Sequence, residues 1–181
     1  MNAFRSLADL LDLQALDSTI DRLLEERTGL PELARFKAAH EEAQRIETDL
    51  GRIRGELAET SRSLDKAEGE LEILEEKART TEQRLYAGGM NARETEHMQA
   101  DVAMLQSQVG EREEEVLELI DAREALEEQE AAVAAEHVRA LEEKAELEGA
   151  IKAAWAKIDA EIARKEARKA ELVPSIDADL V

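Results

Sequence analysis

Phe36, Ala43, Leu50, Leu57, Leu64, Leu71, Ala78 and Leu85 stand at seven-residue intervals. Ala39, Ile46, Ile53, Thr60, Ala67, Leu74 and Thr81 form a second series interleaved with the first. On a helix the two series make one narrow stripe, and a strict seven-residue repeat winds that helix into a left-handed supercoil with a partner. Such a segment cannot bury its stripe alone, so residues 32–86 are expected to be a single helix lying against another helix. Each seam leucine contributes roughly 1.5–3 kcal/mol if fully buried, and less where the edges of a two-helix seam stay wet. The alanines and threonines in the seam, with Gly51, Gly55 and Gly69 nearby, point to local slackness, since an interior glycine costs a helix about 1 kcal/mol.

The stripe stops at Tyr86-Ala87-Gly88-Gly89-Met90-Asn91, which holds the only adjacent glycines in the chain. Glycine takes left-handed backbone conformations at no steric cost, so the pair can end one helix and reverse the chain. Asn91 then offers an N-cap, and Glu94 three positions on can complete a capping box for the next helix. Residues 87–91 are therefore expected to be the turn of a hairpin.

Upstream, Leu13, Leu16, Ile20 and Leu23 make a stripe on a first helix over residues 3–28, widened by Leu24. Gly29 and Pro31 then signal a kink or short break near Pro31 rather than a domain boundary. Downstream, residues 92–172 read as the return arm. Met98, Leu105, Leu119, Leu126, Val133 and Leu147 keep the seven-residue spacing, joined by Val102, Val109 and Val116. Arg112, Arg123, Glu130, His137 and Lys144 stand where an ideal seam would be apolar, while Val138 and Leu141 fall off the frame. This pattern reads as a stutter before the stripe resumes at Ile151, Trp155, Ile158 and Ile162. The two upstream helices, about 26 and 55 residues, match a return arm of about 81, or roughly 120 Å. A turn centred between Gly88 and Gly89 would set Leu23 near Trp155 and Leu57 near Ile120. The expected fold is all-α: a long antiparallel coiled-coil helical hairpin over residues 1–172, followed by a tail over 173–181.

Composition agrees. Aromatic residues are 2% and charged residues 38% of the 181, the profile of a long helix rather than a globule or a disordered chain. A net charge of −20 argues against the hairpin gripping a phosphate backbone, since association would begin with repulsion. Acids crowd residues 111–148, whereas Arg164, Lys165, Arg168 and Lys169 reverse the balance. These four either favour the helix C-terminus and pair with acids of the first helix, or form a basic contact surface. There is no cysteine, hence no disulfide, thiolate metal site or cysteine nucleophile. No secretory or membrane-spanning apolar run is found, so a cytoplasmic protein is expected.

Glu94 and His97 form a Glu-x-x-His pair, but a di-metal bundle needs a second such pair and further inward glutamates from four helices. His40 and His137 are isolated. Catalysis needs a concave, water-excluding pocket that a two-helix rod lacks. No catalytic or metal-binding residue is assigned, and no enzyme activity is expected. Stacking on single-stranded nucleic acid would need aromatics in a basic groove, and only Phe4, Phe36, Tyr86 and Trp155 are available.

Three stretches together resemble the bacterial C4-type zinc-ribbon proteins that carry an N-terminal coiled-coil hairpin. They are Leu10 through Asp17 with Ile20-Asp21-Arg22-Leu23; the tip Arg84-Leu85-Tyr86, Gly88, Asn91-Ala92-Arg93-Glu94 and Met98-Gln99; and Leu105 through Ile120. The family usually has Pro, Lys and Leu where this chain has Ala92, Arg93 and Thr95. The resemblance implies that a segment like Leu172-Val173-Pro174 leads on to a ribbon whose two Cys-x-x-Cys pairs bind zinc. The sequence stops at Val181 without a cysteine, so no zinc ligand can be placed on it, and truncation ahead of the ribbon is the expectation. Members of the family are implicated in binding proteins and nucleic acid, some as chaperone-like partners of an alternative sigma factor and binders of messenger RNA in flagellar regulation. Others associate with type III secretion components. The expected role is a protein-binding module or scaffold, a monomer or weak homodimer, using Tyr86, Gly88, Gly89, Asn91 and Glu94 at the tip. The alternatives are a nucleic-acid-binding regulator acting through the ribbon and the basic residues 164–169, and a purely structural spacer.

Overall fold

The computed structural model describes residues 2–175, with side chains from residue 8 to residue 174. Three α-helices follow in order: α1 (Asn2–Thr28), α2 (Pro31–Ala87) and α3 (Ala92–Leu172). A single 3₁₀ turn, Val173–Ser175, closes the described chain, and the last six residues of the expected tail, 176–181, lie outside it. Among the described residues there is no strand, and the all-α hairpin class is as the periodicity required.

The chain divides into two compact units, 46–136 and 1–45 with 137–181. Both α2 and α3 pass from one unit into the other without a helix break.

The unit of residues 46–136 is a hairpin of the second part of α2, the turn and the first part of α3. Its seam is built from the expected positions: Leu50, Ile53, Leu64 and Ala67 from α2 are buried, as are Val102, Leu105 and Val116 from α3. Leu64, Ala67 and Val116 form a core cluster against which Leu71, Leu119 and Ile120 pack. A β-carbon built on Gly51, Gly55 or Gly69 would meet nothing within 4 Å, so these glycines face open space and serve no close helix approach.

The stagger of the two helices differs from the expected one. A turn centred on Gly88-Gly89 would set Glu70 opposite Ser107 and Arg54 opposite Arg123. Instead Glu70 pairs with Arg112 and Arg54 with Glu130, and Ile120 joins the Leu64–Ala67 layer. The slip is between one and two helical turns. Four residues, 88–91, separate the helix ends at the reversal. Counted from the Glu70–Arg112 level toward the turn, Leu85 comes level with His97. The start of α3 at Ala92 therefore runs on past the end of α2 at Ala87 by roughly 4–5 Å, at about 1.5 Å per residue.

In the unit of residues 1–45 with 137–181, α1 and the start of α2 pack against the last part of α3. α1 ends at Thr28 and α2 begins at Pro31, which is the break expected from Gly29 and Pro31. The Gly29 N–H donates to the Glu25 carbonyl at 2.9 Å, and the Thr28 hydroxyl donates to the Leu24 and Glu25 carbonyls. These bonds satisfy acceptors that the last turn of any helix leaves open. Pro31 starts α2 at the position where its missing N–H costs no helical bond. Leu23, Ala43, Leu147, Ile151 and Ile158 are buried here.

The stutter expected around Val138 and Leu141 is not found there. Val138 is 53% and Leu141 44% exposed, while His137, Ala140 and Lys144 stay half-buried on the original frame. Long polar side chains can cover apolar neighbours with their stems and carry their charged ends to water, so the seam tolerates them without shifting. The frame changes further on, at Leu147, Ile151 and Trp155, where two steps of four residues follow each other. Leu24, expected to widen the α1 stripe, is 47% exposed.

Candidate interaction site

The turn is where the local sequence is most exacting. Gly88 has φ +77° and Gly89 φ +90°, a region that side-chain-bearing residues enter only with strain. The space beside both is open, so backbone conformation alone calls for glycine. At the start of α3 the capping box forms in both directions. The Glu94 N–H donates to Asn91 Oδ1 at 3.0 Å, and the Asn91 N–H donates to Glu94 Oε2 at 3.0 Å. The Thr95 N–H and its hydroxyl both donate to the Asn91 carbonyl, each at 3.0 Å. Two backbone donors that a helix start would leave to water, the Asn91 and Glu94 N–H groups, are thereby fixed within the chain.

Tyr86 takes no part in this closure. It sits in the last turn of α2 and is 79% exposed. Nothing in the turn geometry needs an aromatic ring there. Met90, between the glycines and the cap, is half-buried.

The four basic residues of the second candidate surface are placed differently from one another. Lys169 Nζ lies 2.6 Å from Asp17 Oδ1 of α1, and Arg168 pairs with Glu171 at 2.8 Å. Arg164 donates to the carbonyl of Ala160 in its own helix, and Lys165 is half-buried. Two of the four cations are thus matched by carboxylates, one of them on the first helix.

A third constellation was not legible as a site. The Trp155 indole N–H donates to the Arg27 carbonyl at 3.0 Å. The Arg27 guanidinium lies over the Trp155 ring, 5.0 Å from its centroid. Arg27 Nε is 2.8 Å from Asp159 Oδ1 without the alignment of a hydrogen bond, so that contact is ionic. The seam periodicity pointed to Trp155 near Leu23; nothing in the spacing marked Arg27 or Asp159.

His97 is exposed and Glu94 is held in the capping box. Phe36 and His40 stack with their rings nearly parallel and their centroids 6.4 Å apart. Among the described residues no group of three or more His, Asp or Glu comes together as a metal site. The depressions along the helices, such as that lined by Glu59, Arg62, Ser63 and Lys66, are open and polar. Two exposed ion pairs shift their groups: the hydrogen bond from Lys152 holds the Glu148 carboxyl below its usual range, and that to Glu56 raises Arg52. Among the described residues, no helix is long and apolar enough to cross a membrane.

The model of one protein family, described as the CT398-like coiled coil hairpin domain, matches residues 13–181. A structurally characterised protein from Mycobacterium smegmatis superposes with a TM-score of 0.83 at 20% identity, over 97% of this chain and 73% of that one. At that identity the likeness concerns the fold. No curated protein matches the chain.

Proposed function

We propose, from the premise that the chain belongs to the family of CT398-like coiled coil hairpin domains, that it is a non-enzymatic interaction module whose turn engages a protein partner. The observation that carries this reading is Tyr86. A large amphipathic ring is 79% exposed beside a turn that the glycines and the Asn91–Glu94 box close without it. Tyrosine is among the residues that most often dominate binding at protein interfaces, because it brings large contact area with little rotamer entropy to lose. Gly88 and Gly89 through their backbone conformation, and Asn91 and Glu94 through side-chain bonds to backbone N–H groups, hold the ring's surroundings in one conformation.

In a protein that also carries a zinc ribbon, the helices would space that ribbon from the turn. The alternative of a nucleic-acid-binding regulator draws less support from this chain, because Lys169 and Arg168 already face carboxylates.

The test compares partner capture by the wild type, Tyr86→Ala and Asn91→Ala, with helicity matched by circular dichroism. A central aromatic contact predicts a loss of at least about 30-fold in affinity for Tyr86→Ala, and a smaller loss for Asn91→Ala. If every captured partner binds both variants as it binds the wild type, the turn is not the docking site.

A further inference from the structure

The first helix is held by a thin apolar stripe and a set of polar clasps. Of its described side chains only Leu23 is buried, while Leu13, Leu16 and Ile20 are half-buried and Leu11 is 61% exposed. It joins α2 through Gly29 and Leu30 alone. Pro31 has no N–H to continue an α-helical ladder, so the break is written into the covalent chain and is not a product of packing.

Three contacts converge on one residue of its last turn. Trp155 donates to the Arg27 carbonyl, the Arg27 guanidinium covers the Trp155 ring, and Asp159 faces the same guanidinium. The carbonyl matters most. It belongs to the group of acceptors that the end of a helix leaves without an intrahelical donor, so the indole recognises a finished helix end. The donor four residues on would be Pro31, which has no N–H, and the Trp155 indole fills that place. Ile158, between the two α3 residues that hold Arg27, is buried. Further along, Asp17 of α1 meets Lys169 of α3 at 2.6 Å. The charged members of both clasps are between 39% and 52% exposed, and contacts of that kind weaken as salt is added.

We propose that α1 is a hinged arm that docks on and leaves α3 as one body, turning at Gly29-Leu30, with Arg27 as its latch and Trp155 as the seat of that latch. The arm hides an apolar face of α3 around Trp155 and Ile158 when docked and presents it when released. Elements of this kind open locally, at a free energy below that of global unfolding.

Trp155 is the only tryptophan in the chain, so its emission and its quenching by acrylamide report the latch directly. The experiment uses the full chain and pairs this readout with hydrogen exchange resolved by segment. Raising sodium chloride from about 0.05 to about 1 M, which shortens the Debye length to about 3 Å, is expected to increase quenching of Trp155. Amides of residues 8–28 are expected to exchange at least about 10-fold faster there, with residues 46–136 unchanged. Arg27→Ala should give the released signal already at low salt, and Arg27→Lys, which keeps the charge without the planar stack, an intermediate one. The proposal is overturned if residues 8–28 and 46–136 exchange together at every salt concentration. It is equally overturned if Trp155 quenching in the wild type rises only where helicity is lost throughout. The salt series on the wild type decides the matter even if a variant does not fold.

Discussion

The two units of the molecule solve the same problem with different means. In residues 46–136 two helices face each other. Leu64, Ala67 and Val116 supply the dry centre, and the polar members of the seam supply the alignment: Arg112 reaches Glu70 on α2 and Glu115 on its own helix, and Glu130 reaches Arg54. In residues 1–45 with 137–181, three helical segments are present. There the ion pairs Arg27–Asp159 and Asp17–Lys169 are joined by an aromatic ring on a helix end, with Trp155 on the Arg27 carbonyl. Charged pairs across a wet seam choose one stagger among several of similar apolar content, because a slip separates opposite charges. A tryptophan reading the last turn of a helix chooses one endpoint.

The comparison implies a ranking of effects. The largest concerns the dry centre: Leu64→Ala should lower stability by about 2–4 kcal/mol in urea unfolding, from lost transfer energy and the cavity left behind. Trp155→Phe, which keeps a ring and removes the indole donor, should cost only about 1 kcal/mol. Equal losses would mean that the two units do not differ in what holds them. Next comes the alignment. A double-mutant cycle on Glu70→Gln and Arg112→Gln should return a coupling of about 0.2–1 kcal/mol, since both partners stay partly in water. A coupling near zero, with the stagger unchanged by cross-linking, would assign register to the apolar layers alone. The smallest effect is a titration. The Lys152 hydrogen bond holds the folded-state pKa of Glu148 down. Its contribution to stability is therefore present above the ordinary carboxylate range and lost as pH falls through the lowered folded value. By carbon-detected NMR the Glu148 carboxyl should titrate below an exposed glutamate and return to the usual range in Lys152→Met.

The sequence was most readable where one physical rule acts on neighbouring residues. Helix type and seam face follow from the seven-residue spacing, and the reversal follows from Gly88, Gly89, Asn91 and Glu94, whose bonds span three or four positions. Stagger was not readable, because periodicity tells which face is buried and not how far one helix slides along another. That distance is marked by pairs such as Glu70–Arg112 and Arg54–Glu130, far apart in the chain. The half-buried Lys144 and the exposed Leu141 have a related cause. Hydropathy ranks whole residues, whereas a lysine stem is as apolar as the gap it fills. Arg27 and Asp159 lie in helices rich in charge, and only the third dimension separates a latch residue from a solvated one.

The overhang of α3 beyond the end of α2 gives the reversal an uneven profile. Less than one turn of a single helix, a cylinder about 10 Å across, stands at that end without its neighbour alongside.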